Sequence, residues 1–332
     1  MAAASVGNDR VLDRRTFVVG GVAVLAAPIA AEAQQTRRIA YISATSLGPT
    51  LRKDLEDALR DLGWTPGGNI VVEYRSADGQ YSRLPTLVED VLRLNPEVIL
   101  SNQTPTTQAI RKVTDAVPIV MVGHGDPIRY GIVTNLARPE NNITGVSFLV
   151  DELGIKVIEL LKEAAPKVMR VAFFVNPDNP GAAPWLERAR AAAPGLGIVV
   201  RPVQIRIIED LERELGALSR ERVDAISLVP EAFILTNRQR ILDFALGHRL
   251  PSVGPHPALA GSGALLSYSP HSISIIRDVA RYADRILRGA KPRDLPIEQP
   301  SRFELIINLK TARALDLAIP PSLLARADQV IE

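Results

Sequence analysis

The chain has 332 residues, 46% hydrophobic and 23% charged, which excludes a mostly disordered protein. Its 39 basic residues against 37 acidic ones give a net charge of +2, with no basic excess to attract a nucleic-acid backbone. Aromatic residues are only 5%, which argues against a stacking surface for single-stranded nucleic acid. Cysteine is absent and histidine occurs four times, so disulfides and thiolate chemistry are excluded and a metal site is not expected.

The first 33 residues are typical of an export signal. Arg14 and Arg15 precede Phe17 and an uncharged apolar run, which ends in the small-x-small pattern Ala31-Glu32-Ala33. The run is too short to span a bilayer, and the paired arginines predict the twin-arginine route. A chance arginine pair in a frayed terminus is the alternative. We expect residues 1–33 to be removed and the mature protein to be periplasmic, without a lipid anchor because no cysteine follows the signal.

Strands and amphipathic helices alternate along the rest of the chain. The predicted strands are 38–42, 70–74, 98–100, 117–122, 168–175, 198–203, 223–229, 251–253 and 264–266. The predicted helices are 51–62, 84–94, 105–115, 182–193, 208–218 and 237–247. This alternation predicts βαβ units and mostly parallel sheets.

A weak internal repeat divides the chain into two similar halves. Three strand segments of the first half match segments of the second half in the same order, and they begin at residues 38, 97 and 117 and at residues 170, 224 and 250. The repeat predicts an α/β fold with two doubly wound parallel-sheet lobes. We expect lobe 1 to comprise 37–146 plus about 269–297, and lobe 2 to comprise 150–266 plus about 300–332. The segment 303–312 is predicted to add a strand and a helix to one lobe.

Polar loops follow the predicted strands, and ligands of parallel sheets meet the loops at the carboxyl ends of the strands. In lobe 1 the candidate ligand-binding residues are Ser43, Thr45, Ser46, Gln103, Thr104, Pro105, Thr106, His124 and Asp126. In lobe 2 they are Asn176, Asn179, Glu231, Phe233, His256 and, at a predicted crossover, Tyr268. Two lobes that face each other across these loops would form a cleft that closes by a hinge.

Several candidates carry a specific chemistry, each with a structural alternative. Thr104 and Pro105 open a helix, whose free N–H groups and positive end favour a carboxylate, although ordinary capping uses the same residues. Glu231 could pair with a ligand ammonium and Phe233 could contact an apolar group, but a solvated acid and a core aromatic fit equally well. For Asp126 a turn is the favoured interpretation. Caps, local turns and rigid loops are the alternatives for the other candidates.

Sequence patterns of common enzymes are missing. The chain has no GxSxG, GxGxxG, P-loop, HExxH or CxxC motif, and no cofactor is expected. The acids Asp126, Asp178 and Glu231 leave open an exported enzyme that uses the same cleft, because two carboxylates at the right separation are enough for hydrolysis.

Many short segments resemble one family over nearly the whole mature chain. They are Glu73-Tyr74-Arg75, Gly79-Gln80-Tyr81, Gly125-Asp126-Pro127, Arg138-Pro139, 142–146, 176–180, Leu266-Ser267-Tyr268, 303–312 and 319–328. In these segments the sequence resembles ABC-transporter substrate-binding proteins, whose best understood members bind tryptophan or tyrosine. The resemblance implies a type 1 periplasmic-binding-protein fold with a hinge, and delivery of a solute to an ABC permease in the inner membrane.

The resemblance also bears on the ligand. The family's Thr-Pro at a helix start matches Thr104-Pro105. Members that bind aromatic amino acids carry a carboxylate and an amide shortly after the second-lobe Val-Pro, whereas this chain has Val229-Pro230-Glu231-Ala232-Phe233, with the acid displaced and the amide absent. This departure weighs against an amino acid as the solute. We expect a receptor for a small polar solute of the amino acid or organic acid type, and a monomer, because the sequence offers no clear pattern for an oligomer interface. A sensory ligand-binding protein is a further alternative.

Overall fold

The computed structural model describes residues 36–139, 141–148 and 150–332, apart from the side chains of His124, Val150, Asp151 and Glu152. The predicted export signal lies outside the described residues. The strands are β1 (Arg37–Ser43), β2 (Ile70–Ser76), β3 (Val98–Asn102), β4 (Ile119–His124), β5 (Ile143–Ser147), β6 (Arg170–Val175), β7 (Val199–Gln204), β8 (Ala225–Leu228), β9 (Ser252–Gly254), β10 (Leu266–Pro270), β11 (Phe303–Asn308) and β12 (Gln329–Ile331).

The helices alternate with these strands. They are α1 (Pro49–Asp61), α2 (Leu84–Leu92), α3 (Thr104–Arg111), α4 (Val150–Ala164), α5 (Ala182–Ala192), α6 (Ile208–Leu218), α7 (Ala232–Thr236), α8 (Arg238–Gly247), α9 (Pro257–Gly261), α10 (Ser272–Leu287), α11 (Leu309–Ala314) and α12 (Pro321–Leu324). None of the helices in the described part of the chain is long and apolar enough to cross a membrane.

Lobe 1 is built on a parallel sheet with the strand order β2-β1-β3-β4-β5. Successive residues of β1 point to opposite faces of this sheet. Ile39 and Tyr41 join the core under α1 and α10, and Ala40 and Ile42 join the core under α2 and α3. Because both faces are covered, the strand is an almost continuous apolar run rather than an alternating one.

Lobe 2 repeats this arrangement. Its sheet has the order β12-β11-β10-β9-β8-β6-β7, and the run β7-β6-β8-β9-β10 reproduces the order of the five strands in lobe 1. The pairing is parallel except between β10 and β11. The α/β fold with two doubly wound lobes is therefore confirmed, and β11 and α11 add to lobe 2 as predicted from 303–312.

The chain passes between the lobes along neighbouring paths. It leaves lobe 1 after β5, returns after β10 through α10, and enters lobe 2 again before β11. Helix α10 packs in the lobe 1 core, and Trp64 Nε1 donates to Asp284 Oδ1 of α10 at 2.8 Å. Residues 145–147 and 297–298 run side by side, since the N–H of Ser147 donates to the carbonyl of Glu298 at 2.9 Å. Strand β10 spans Leu266–Pro270, whereas the sequence predicts a strand over 264–266 and a crossover at Tyr268.

Candidate functional site

The carboxyl edge of the lobe 1 sheet carries a small hydroxyl cluster. Ser43 and Asn102 end neighbouring strands in register, and Ser43 Oγ lies 3.4 Å from Asn102 Oδ1. Ser43 Oγ also lies 3.0 Å from Thr45 Oγ1 and accepts the N–H of Thr45 at 3.1 Å. Ser43 is buried, Thr45 is half-buried and Ser46 is exposed. Asn102 was not among the sequence candidates, although the register of the parallel strands places it there.

The start of α3, from Gln103 to Thr106, holds two buried polar atoms that lack a partner among the described residues. These atoms are Gln103 Oε1 and Thr106 Oγ1. The backbone of Gln103 has φ 70° and ψ 152°, a region that a residue with a Cβ rarely adopts, and it directly precedes the first turn of the helix. By contrast, Thr107 Oγ1 lies 2.7 Å from Ser101 Oγ. Thr104, Thr106 and Thr107 are all buried.

Buried polar atoms in native proteins normally have partners, so those at the start of α3 call for an explanation. The positive end of α3 favours an anion at the same place, although the N–H groups of Thr106 and Thr107 already donate to the Gln103 carbonyl and Pro105 has none. The Thr106 hydroxyl could donate to such an anion, and the Gln103 carbonyl could accept from a neighbouring hydroxyl or ammonium. The start of α3 thus has the chemistry of a subsite for a polar organic acid.

The first loop of lobe 2 contains two asparagines in local turns. Asn176 Oδ1 accepts the N–H of Asp178 at 3.0 Å, and Asn179 Oδ1 accepts the N–H of Gly181 at 2.9 Å. Each side chain therefore uses its oxygen locally and keeps its amide N–H groups as donors. Asp178 forms an exposed ion pair with Arg206 at 3.1 Å.

The two lobes meet at Glu231, which follows β8. Glu231 is fully buried and caps the N-terminus of α7 by accepting the N–H of Ile234. Its other oxygen, Oε2, accepts the hydroxyl of Tyr81, which belongs to lobe 1, at 3.0 Å. Burial raises the pKa of Glu231 to about 7, against the opposing effect of hydrogen bonds from Ile234, Tyr81, the Phe233 N–H and the Asn176 side chain.

Two further candidates are engaged in other contacts. The carboxylate of Asp126 accepts the N–H of Ile128 at 3.0 Å and the N–H of Arg129 at 3.1 Å, as in a turn. His256 Nδ1 accepts the N–H of Ala258 at 3.2 Å and caps α9. Burial lowers the pKa of His256 to about 4, which makes it a neutral imidazole at pH 7.

The remaining candidates lie elsewhere. Tyr268 stacks on Phe303, with ring centroids 5.7 Å apart, and both line a cavity of about 510 Å³ beside the crossings between the lobes. Phe233 is buried in the lobe 2 core together with Ile234. The His124 side chain lies outside the described residues.

The structure therefore groups the candidates in two places. In lobe 1 the hydroxyls of Ser43 and Thr45 lie at the end of β1, beside the end of β3, and residues 103–106 follow β3 directly. In lobe 2 the structure brings Asn176 to Glu231. Sequence reasoning missed Tyr81 as a site residue, and the only signal for it was its place in the family segment Gly79-Gln80-Tyr81. No cluster of histidine and acidic side chains suited to a metal ion occurs in the described part of the chain.

Comparisons with known proteins agree with this architecture. The family model described as ABC transporter substrate binding protein matches residues 39–331. A tyrosine-binding protein of Clostridioides difficile (strain R20291) is 23% identical over 267 residues, which cover 80% of this chain and 76% of that protein.

Solved structures share the fold. An ABC domain from Streptococcus pneumoniae in complex with L-Trp superposes with a TM-score of 0.81 at 23% identity, covering 89% of this chain and 100% of that one. A conserved domain protein from Vibrio cholerae gives the same TM-score at 26% identity and covers 89% and 99%. A 5-methylthioribose transporter solute-binding protein from Thermotoga lettingae gives 0.58 at 14% identity and covers 88% and 96%. The matching family consists of substrate-binding proteins, which confirms the expectation that this protein is not an enzyme. The chain belongs to the family of ABC transporter substrate-binding proteins.

Proposed function

We propose that this protein captures a small organic acid or amino acid in the cleft between its lobes and delivers it to an ABC permease of the inner membrane. The observation that carries the proposal is the hydroxyl of Thr106 at the start of α3, which is buried and has no partner in the described part of the chain. The solute's carboxylate would accept from this hydroxyl and would lie at the positive end of the helix. Gln103 Oε1 would accept from a hydroxyl or ammonium next to that carboxylate.

The rest of the site fits this orientation. The Ser43 and Thr45 hydroxyls lie at the neighbouring strand end, and the amide N–H groups of Asn176 and Asn179 belong to the facing lobe. A solute that touches both lobes binds the closed arrangement better than the open one and therefore shifts the population towards closure. The permease would recognise the closed form, and the solute would leave chemically unchanged.

Relatives support an amino acid or a similar acid as the solute class. The names of two of them refer to tyrosine and to a complex with L-Trp. Substrate-binding proteins of ABC importers act in the periplasm or outside the cell, and the sequence of residues 1–33 supports export by the twin-arginine route. The protein would act as a monomer, one copy for each solute.

Thermal unfolding tests the solute class directly. Mature protein, refolded from denaturant to strip bound solute, is heated with a panel of amino acids, hydroxy acids, dicarboxylates and neutral sugars. A solute at 100 times its dissociation constant adds roughly 2.7 kcal/mol of stability, which raises the melting temperature by several degrees. We expect shifts with acids that are recovered unchanged. Shifts with neutral sugars alone would refute a carboxylate subsite.

Two valine variants test the subsite itself. Thr106→Val removes a hydroxyl without a partner among the described residues, so we expect unchanged stability of the free protein and about tenfold weaker binding of the acid. Thr107→Val removes a hydroxyl that pairs with Ser101, so we expect about 1 kcal/mol lower stability and unchanged affinity. Equal affinity losses in both variants would contradict a specific role for Thr106.

A further inference from the structure

The contact between Tyr81 and Glu231 joins the two lobes through side chains of the protein itself. Tyr81 lies in the short 3₁₀ helix Tyr81–Arg83 of lobe 1, and Glu231 begins α7 of lobe 2. We infer that these two residues form a latch that favours the closed arrangement whichever solute is bound, and that Glu231 is a positioning residue for closure rather than a partner for a solute ammonium. This inference rests on the two lobes and does not require the solute class proposed above.

The hydrogen bonds of Glu231 leave its carboxylate little capacity for a solute. A carboxylate has about four lone-pair sites. The Tyr81 hydroxyl donates to Oε2 and the Ile234 N–H donates to Oε1, so each oxygen already has a partner within the protein. Glu231 also has no exposed surface, which leaves little room for a solute to approach its carboxyl group.

The Tyr81 side of the latch is engaged in the same way. Its hydroxyl donates to Glu231 at 3.0 Å, and the Ala232 backbone and the Asn179 side chain of lobe 2 lie near enough to act on its pKa. Burial and the neighbouring carboxylate both raise the pKa of Tyr81 well above its usual value, which keeps the hydroxyl protonated as a donor.

A backbone contact beside the latch fixes how closely the lobes approach. A Cβ on Gly79 would lie 3.1 Å from Phe233 Cα and 3.4 Å from the carbonyl oxygen of Ala232. The loop that carries Tyr81 therefore rests directly on α7. An exposed ion pair between Arg129 and Glu187, at 3.5 Å, also joins the lobes, but exposed pairs contribute little.

Closure should consequently depend on pH. When the lobes separate, water reaches the Glu231 carboxylate and its pKa falls from about 7 towards the ordinary value. The closed form thus holds a proton more readily, so closure is favoured at low pH and weakens as the pH rises through about 7.

Other titratable groups on the neighbouring segments are already paired or neutral. Asp178 on the loop after β6 pairs with Arg206, and Asp78 on the loop after β2 pairs with Arg83. His256 on the loop after β9 is neutral, since burial and Arg238 lower its pKa to about 4. The pH effect between 5 and 8.5 is therefore assigned to Glu231.

Spin-label distance measurements on the solute-stripped mature protein test the latch. The chain has no cysteine, so labels attach only at introduced sites. Lys112→Cys in lobe 1 and Leu246→Cys in lobe 2 each replace an exposed side chain. The distance distribution gives the ratio of closed to open molecules for the double-cysteine parent and for Tyr81→Phe, Glu231→Gln and the double variant.

We expect Tyr81→Phe to lower the closed-to-open ratio about fivefold at pH 6, because it removes one hydrogen bond to the buried Glu231 carboxyl group, which is mostly protonated at this pH, and leaves the ring in place. The double variant should be no more open than the more open single variant, since both changes remove the same contact. Glu231→Gln should abolish the pH dependence of the ratio between pH 5 and 8.5.

An unchanged ratio in Tyr81→Phe, or an undiminished pH dependence in Glu231→Gln, would overturn the latch. Strictly additive effects of the two changes would also overturn it. Should Glu231→Gln fail to fold, Tyr81→Phe decides the matter alone, because a phenylalanine keeps the packing. If no acid of the thermal panel raises the melting temperature, while Tyr81→Phe and Glu231→Gln change the closed-to-open ratio as expected, the proposed solute class is refuted and this inference stands.

Discussion

Replacing Gly79 by alanine should open the cleft, and a matched glycine separates this effect from backbone strain. Gly79 has φ +85° and its Cβ position lies 3.1 Å from Phe233 Cα and 3.3 Å from Thr236 Oγ1 in the facing lobe. Gly67, also in lobe 1, has φ +80° and nothing within 4 Å of its Cβ position. Alanine is strained at both positions, but only at position 79 does it press the lobes apart.

The magnitudes follow from the two contributions. A non-glycine residue in left-handed backbone costs roughly 1–2 kcal/mol, so both variants should melt a few degrees below the parent. Overpacking of a tight contact costs typically about 1–3 kcal/mol, which in Gly79→Ala falls on the closed form alone. We therefore expect the closed-to-open ratio to fall about tenfold in Gly79→Ala and to stay at the parent value in Gly67→Ala.

Calorimetry and the spin-label distances measure the two effects separately. Similar melting temperatures for the two variants, with a longer mean distance in Gly79→Ala only, would agree with the reasoning. If both variants keep the distance distribution of the parent, the lobes do not meet along this loop, and the account of closure is wrong.

Three more predictions concern other parts of the chain. Gly145→Ala should lower the free energy of unfolding by more than about 3 kcal/mol or prevent folding, because Gly145 has φ +124° and an added Cβ would clash with the backbone nitrogen of Met121 in β4. Gly131→Ala, at φ +62° with open space around the Cβ position, should lower it by only about 1 kcal/mol. Urea unfolding of the two variants measures the difference. The pKa of Glu231 rises from 4.5 to about 7 on folding, so its contribution to stability is present below pH 4.5 and is lost as the pH rises through 7. The free energy of unfolding of the parent minus that of Glu231→Gln should therefore fall by up to about 3 kcal/mol across this pH range. Replacing Arg14 and Arg15 by lysine should retain the precursor inside the cell, which fractionation shows; unchanged export would refute the twin-arginine route.

The sequence predicts the lobes well because their signals are local and repeated. Helix 208–218 was predicted at the bounds that the structure shows, since its apolar residues recur at helical spacing. The order of the strands could be anticipated from the matches of 38–42 with 170–174, because the same βαβ unit is used twice. Helix α4 was missed, as Val150–Ala164 follows a crossover and its start carries no clear cap.

The site is less predictable because its contacts are not local. Tyr81 and Glu231 are 150 residues apart, and no spacing rule connects them. Glu231 was considered as a partner for a ligand ammonium, but a carboxylate after a strand can equally cap the following helix, and the sequence does not distinguish the two. His256 and Asp126 show the same ambiguity, since residue types that bind ligands are also the residue types that satisfy free backbone N–H groups.

These observations assign different tasks to the two groups of polar residues. The Thr106 hydroxyl has no partner among the described residues, so its hydrogen bond is available to a solute, and a change there should alter affinity for acids and little else. The Glu231 carboxyl group is fully buried and already accepts the Tyr81 hydroxyl and the Ile234 N–H, so a change there should alter closure and its pH dependence for every solute alike. Selectivity among solutes should therefore respond to substitutions near the start of α3, while substitutions at position 81 should scale all affinities by a common factor. A Tyr81→Phe variant that reorders the preference among acids, rather than weakening all of them equally, would show that the two tasks are not separate.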